Sequence, residues 1–217
     1  METLKYVILG DRSVGKTSLI LKQSTGNFPG EYTPKCCTSQ MSILRYKHKK
    51  IGIHLIDTES TNRSVDDLQP SLFIICFSLT DYQSFQNIQK KYLPLLKSIS
   101  NSIPILVVGT KLDLVKSKKK KQFLTKQKRI KILKKYGINN YAECSSLKNK
   151  HIKKVFQKSI SIIKHFSQKN LNTKTVVRQN LLKRKESENF KQFGFLDTKL
   201  ANNNQKYFSS SLLKFVK

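Results

Sequence analysis

The chain has 217 residues, 38% of them hydrophobic, with 42 Lys and Arg against 13 Asp and Glu. That length suits one domain plus an extension, or at most two small domains, and no apolar run is long enough to span a bilayer. The formal net charge of +29 suits contact with polyanions such as nucleic acid, anionic lipid or acidic protein, although a chain so rich in Lys, Asn, Ile and Ser also reads as compositional drift in an AT-rich genome. The four cysteines, Cys36, Cys37, Cys76 and Cys144, form no C-x-x-C pair and lack metal-ligand spacing, so all four are expected to be reduced thiols in a cytosolic protein. No signal peptide is expected, nor N-myristoylation, since residue 2 is Glu2, nor a prenylated C-terminus, since no Cys follows Cys144.

Leu4–Leu9 is a short apolar run rich in β-branched and aromatic residues and reads as a strand. Gly10–Thr17 is a loop, and Thr17–Gln23 starts a helix. Gly26–Pro34 holds two Gly and two Pro and is irregular. Ser39–Tyr46 and Ile51–Ile56 alternate as paired strands, with Lys47–Lys50 turning between them. Thr58–Pro70 has no clean period, and Leu72–Leu79 is continuously apolar, as a strand buried on both faces would be. Asp81 is a candidate N-cap for a helix through Ile99, which Pro94 should kink or disturb. Ile103–Val108 is another buried strand.

Leu114–Lys135 carries eleven Lys or Arg in 22 residues and no acid. Its first part reads as an exposed loop. Its second part, Phe123–Tyr136, has Phe123, Ile130 and Leu133 near helical spacing, with Gly137 placed to end the helix. Tyr141–Cys144 is a short last strand. Lys148–Phe166 is an amphipathic helix with Ile152, Val155, Phe156, Ile160 and Ile163 on one face. From about Ser167 the periodicity fades into a polar, basic tail expected to be disordered or weakly helical. Strands alternating with helices imply an α/β fold, a mainly parallel sheet with helices on both faces. Ligands of such sheets bind at the carboxyl ends of the strands.

Gly10-Asp11-Arg12-Ser13-Val14-Gly15-Lys16-Thr17 fits G-x-x-x-x-G-K-[ST], after a strand and opening a helix as that motif requires. Main-chain N–H groups of Arg12 through Ser18, with the helix N-terminus, suit anionic phosphates. Lys16 would place its ammonium between the β- and γ-phosphates, and the Thr17 hydroxyl would ligate Mg²⁺. Thr110-Lys111-Leu112-Asp113 directly follows the strand Ile103–Val108.

With these motifs the chain resembles Ras-superfamily small GTPases, and within them the Rho/Rac branch. The resemblance runs from about Leu4 to Phe166. It rests on GDRSVGKTSL (10–19), FPGEYTPK (28–35), HLIDT (54–58), IICFSL (74–79), LVVGTKLD (106–113) and ECSSL (143–147). It implies a P-loop small-GTPase domain over residues 1–168, with a mainly parallel six-stranded sheet, and a basic tail over 169–217. It implies GTP or GDP and Mg²⁺ as ligands. Asp113 would accept from guanine N1–H and the 2-amino group, a donor pair adenine lacks. Lys111 would pack its stem along the base, Phe28 would stack on the base edge, and Ser145, Ser146 and Leu147 would present N–H groups to guanine O6. Asp57 would reach Mg²⁺ through water. Phe28, Tyr32, Thr33 and Lys35 would lie in the first nucleotide-sensing segment, and Thr58, Glu59, Ser60 and Thr61 in the second.

The chain departs from that family where the γ-phosphate is sensed and hydrolysed. Arg12 replaces a Gly that leaves room for the attacking water and for an incoming arginine. Thr61 stands where the family has its water-positioning Gln. Ser60 replaces a Gly, Glu59 adds negative charge, and Lys35 replaces a Mg²⁺-ligating Thr although an ammonium cannot ligate a cation. The second segment and the Lys-rich insert after the TKLD motif are shorter than in Rac-like relatives. These changes imply a guanine-nucleotide switch with slow or absent hydrolysis, no catalytic residue being assured, or else a nucleotide-locked scaffold.

Lys116–Lys121 and Lys183-Arg184-Lys185 suit weak, reversible contact with an anionic membrane, or else are solvated or a nuclear-localisation signal. Without a reader motif, specific nucleic-acid binding is not expected. The expectation is a cytoplasmic monomer, peripheral at the inner membrane face through its basic residues, with unnamed effector and regulatory proteins. Action on the cytoskeleton follows from family analogy alone.

Overall fold

The computed structural model describes residues 2–29, 39–58, 65, 68–100, 102–117 and 124–170. The sheet with its two apolar clusters belongs to one compact unit, Met1–Phe166. The described residues form a six-stranded sheet in the order β2-β3-β1-β4-β5-β6. The strands are β1 (Thr3–Leu9), β2 (Ser39–Tyr46), β3 (Lys49–Asp57), β4 (Leu72–Ser78), β5 (Ile105–Thr110) and β6 (Tyr141–Glu143). Only β2 runs antiparallel to its neighbour, pairing Ser39 with Ile56 through Tyr46 with Lys49. The helices are α1 (Lys16–Thr25), α2 (Tyr82–Asn87), α3 (Leu93–Ile99), α4 (Leu112–Ser117), α5 (Lys126–Lys135) and a last helix, α6, over 152–170.

The alternation of side chains along each strand explains the continuous apolar runs. Tyr6 and Ile8 of β1, with Leu72, Ile74 and Cys76 of β4, enter one cluster against Leu19 and Ile20 of α1 and Ile152, Val155, Phe156 and Ile160 of α6. Val7 and Leu9, with Phe73, Ile75 and Phe77, enter the other against Phe85, Ile88, Leu96 and Leu133. Every residue of β4 is buried, because both faces are covered. At about 1.5–3 kcal/mol per large apolar side chain buried, the paired clusters are the main source of stability.

β1 pairs with β3 on one side and β4 on the other. The helix after β1 covers one face and the helix after β4 covers the opposite face. The crevice of an open α/β sheet lies at such a switch point, so the loop after β1 opens on the expected end.

Several local expectations are corrected. The β2–β3 turn is only Lys47-His48, both with positive φ (44° and 62°), the twist that matches a two-residue hairpin; β3 therefore starts at Lys49. The segment after Lys111 begins as helix α4 rather than as loop. The strand predicted over Ile103–Val108 runs from Ile105 to Thr110. The helix predicted from Phe123 starts at Lys126, because Thr125 caps it through Lys128 N–H. The last helix starts at 152 rather than 148, since Ser145 and Lys150 first close a two-bond bridge. It continues through 170, past the point where periodicity fades. Phe123, Lys118–Lys121 and the tail beyond 170 lie outside the described residues.

Asp81 does cap α2, its carboxylate accepting from Gln83 N–H at 3.0 Å. Pro94 disturbs the helix in a definite way. A π-helical turn, Ile88–Tyr92, separates α2 from α3, with Leu93 N–H bonded back to Ile88 O. Proline has no N–H for the carbonyl four residues earlier and crowds it; widening the turn just before Pro94 relieves both.

Candidate functional site

The loop Gly10–Thr17 joins β1 to α1. It curls because Gly10, Ser13 and Gly15 take positive φ (147°, 61° and 101°). At Gly10 the requirement is absolute: a Cβ there would sit 2.3 Å from the Cys76 carbonyl oxygen. Gly15 caps α1 in a left-handed conformation with no side-chain hydrogen bond, so the helix N-terminus faces the loop with its own N–H groups available to an anion.

Side chains grip the loop from within and without. Lys16, only 2% exposed, donates its Nζ to Gly10 O at 2.9 Å and Asp11 O at 2.8 Å. Lys111 Nζ donates to Ser13 O at 2.7 Å. The buried Thr110 hydroxyl contacts Val14 O and also Phe77 O. Asp11 turns its carboxylate towards α2 and the π-turn, accepting from Asn87 Nδ2 at 2.7 Å and Tyr92 OH at 2.8 Å. Arg12 and Ser13 are exposed, and Ser18 lies one residue beyond Thr17 in α1.

Thr17 Oγ1 donates to Asp57 Oδ2 at 2.7 Å, joining the start of α1 to the end of β3. Asp57 is fully buried. A hydroxyl and a carboxylate oxygen side by side are the hard oxygen donors that Mg²⁺ takes. Among the described residues no cluster of three or more His, Cys, Asp or Glu gathers, so a cation here would complete its shell with water and phosphate oxygens, the usual habit of Mg²⁺. Thr58 comes next, its N–H and hydroxyl both bonded to Ile8 O; its side chain is engaged with β1.

On the far side of the loop, Lys111 (φ 56°) turns the chain from β5 into α4. Asp113 accepts a short hydrogen bond from the buried Ser145 hydroxyl, which orients one carboxylate oxygen. Leu112 N–H bonds to Cys144 O and Cys144 N–H to Gly109 O, at 3.0 and 2.8 Å. Leu147 is 52% exposed and Phe28 is 41% exposed, each an apolar surface available to a ligand. A buried network braces β6. Arg129 pairs with Glu143 at 2.8 Å, their side chains only 6% and 9% exposed, and the Tyr141 hydroxyl donates to Glu143 Oε1 at 2.6 Å. Burial and the Glu143 carboxylate push the Tyr141 phenol well above its ordinary pKa of 10.0.

Thus Lys16, Thr17, Asp57, Lys111, Asp113 and Ser145 lie together at one end of the sheet. One detail changes: Ser145 N–H is bonded to Lys150 O at 3.0 Å, so Ser145 contributes its hydroxyl to Asp113 rather than an N–H to a ligand. Tyr32, Thr33, Lys35, Glu59, Ser60 and Thr61 lie outside the described residues. The sequence pattern gives no sign of Asn87, Tyr92 or the role of Thr110. A polar residue on a helix, 76 positions from its partner, leaves no local signal; only Pro94 hints that this helix is irregular.

Compared with known protein families, residues 5–165 match the model of the Ras family. The chain belongs to the Ras family. Ras-family proteins are small GTP-binding switches that work with regulators and effectors, and the P-loop α/β fold described above is theirs. They bind GTP and GDP, generally with Mg²⁺.

Proposed function

We propose that this chain is a Rho/Rac-like guanine-nucleotide switch whose GTP hydrolysis is slow or absent. The observation that carries the binding half is the convergence, at one sheet end, of Lys16, the Thr17–Asp57 pair and the Asp113–Ser145 pair. Lys16 and the N–H groups of residues 12–18 would hold the β-phosphate. Thr17 directly, and Asp57 through water, would hold Mg²⁺, which supplies charge neutralisation at the phosphates. Asp113, oriented by Ser145, would select guanine, with Lys111 and Phe28 flanking the base and Ser146 and Leu147 offering N–H groups to O6.

The catalytic half rests on side chains that differ from the family pattern. Arg12 stands exposed on the phosphate loop, where it would crowd an attacking water. Thr61 cannot orient that water as a Gln would, and Lys35 and Ser60 alter the two γ-phosphate sensors. The same two substitutions favour a second reading, a scaffold fixed in one nucleotide state. The nucleotide-binding domain would span 1–168, with 169–217 a basic extension that, with the insert, contacts anionic membrane weakly from the cytoplasm.

Two measurements test this. Denaturing the purified protein should release GDP or GTP in near-stoichiometric amount; an empty protein would overturn the binding half. Single-turnover γ-phosphate release should be slow for the wild type and accelerate in the Arg12→Gly/Thr61→Gln variant. Fast release from the wild type would sink the catalytic half.

A further inference from the structure

We infer that Asn87 and Tyr92 form a carboxylate clamp on Asp11 that holds the phosphate loop in its anion-binding shape, and that the π-turn Ile88–Tyr92 is what aims both donors at one carboxylate. The inference rests on the nucleotide-binding reading above.

Asp11 is an acid one residue into a loop built for anions, so its charge must be kept from the loop's concave side. Both its oxygens are occupied by donors from α2 and the π-turn: Oδ1 by the Tyr92 hydroxyl at 2.8 Å, Oδ2 by the Asn87 amide at 2.7 Å. Asn87 is itself steadied, its Oδ1 accepting from Gln83 Nε2 at 3.0 Å. The carbonyl of the same Asp11 accepts from Lys16 Nζ at 2.8 Å. Asp11 is therefore held at both ends, its carboxylate by Asn87 and Tyr92 and its carbonyl by the lysine that meets the phosphates. Lys111 holds Ser13 O and Thr110 holds Val14 O further along. The clamp is the anchor for the loop's first arm.

The helix register makes this possible. Asn87 and Tyr92 are five residues apart. In an α-helix at 3.6 residues per turn they would point about 140° apart, and one carboxylate could not take both. A π-turn, whose bonds run between residues five apart, stacks such positions on one side. The Leu93 N–H to Ile88 O bond is that turn, and Pro94, which has no N–H to return to Lys90 O, keeps the α-helical ladder from running unbroken past it. Asn87 and Tyr92 are thus positioning residues, acting on a ligand through Asp11.

The test uses the full chain and displacement of a fluorescent GDP. Tyr92→Phe and Asn87→Ala should each speed GDP dissociation about tenfold, the scale of one hydrogen bond to a charged acceptor. The double variant should fall short of the product of the two single effects, because the donors act on one group. Pro94→Ala, which lets the helix relax, should resemble Tyr92→Phe. Competition by guanosine, which has no phosphate, should be unchanged in all of them, whereas general loosening of the fold would weaken guanosine and GDP alike. Unchanged GDP dissociation in both single variants, or equal losses for GDP and guanosine, would overturn the clamp while leaving nucleotide binding intact. A wild type that binds no GDP would overturn the nucleotide reading and the clamp with it.

Discussion

The phosphate loop and the base-side loops share one end of the sheet, yet they are held by different kinds of bond. The phosphate loop is fastened mainly by side chains. Its carbonyls at Gly10, Asp11, Ser13 and Val14 receive side chains from Lys16, Lys111 and Thr110, and its one acid is held by Asn87 and Tyr92. The base-side loops are fastened by backbone bonds instead: the Leu112 and Cys144 N–H groups extend the β5–β6 ladder and the Ser145 N–H bridges to Lys150 O, beside a buried ion pair. A loop that must point its N–H groups at a ligand cannot commit them to a ladder, so it is fastened by its carbonyls. A loop that presents side chains, such as Asp113, can use its backbone for structure.

That contrast can be broken from either side. The largest effect is expected at Arg129→Ala, which strands Glu143 as a buried charge at β6; a loss of about 3–5 kcal/mol is expected in urea unfolding. If the loss is below about 1 kcal/mol, the ion pair is not what braces β6. On the phosphate side, Gly10→Ala forces a Cβ to within 2.3 Å of Cys76 O, and about 3 kcal/mol of destabilisation should follow, with GDP affinity falling as well.

Asp113→Ala should act on binding alone. It removes a carboxylate that accepts from the base, so GDP affinity should drop by about tenfold or more while urea stability changes by less than about 1 kcal/mol. An equal loss in stability would show that the Ser145–Asp113 bond is structural rather than orienting. Smallest is a pH effect on β3. Burial and the nearby Lys5 hold His54 of β3 below its ordinary 6.5. The unfolded chain therefore takes up the proton first, and stability should fall as pH drops through 6.5 and below. His54→Gln should flatten that slope in urea midpoints measured on either side; an unchanged slope would assign it to other groups.

How much of the molecule is legible in its sequence depends on the range of the forces involved. Sheet membership of β1, β4 and β5 follows from continuous apolar runs, since a strand covered on both faces buries such a run. Lys16, Thr17, Asp57, Lys111 and Asp113 are legible because their chemistry demands particular residue types at particular spacings beside a strand end. The local errors, at Lys47-His48, at Leu112–Ser117 and at the start of α6, fall where backbone hydrogen bonds compete within a few residues and composition does not decide between them.

The sequence by itself determined that this chain forms an α/β phosphate-loop fold of the Ras family, because hydrophobic alternation and the Gly-x-x-x-x-Gly-Lys-Thr loop are local and chemically constrained. It also displayed Arg12, Lys35, Ser60 and Thr61, the residues on which the hydrolysis proposal stands. Only the tertiary structure decided what fastens the loop. Asp11 meets Asn87 and Tyr92 across 76 and 81 positions, and no pairwise pattern in the chain links them; they meet because β1 and β4 are neighbours and a π-turn rotates two distant donors onto one carboxylate.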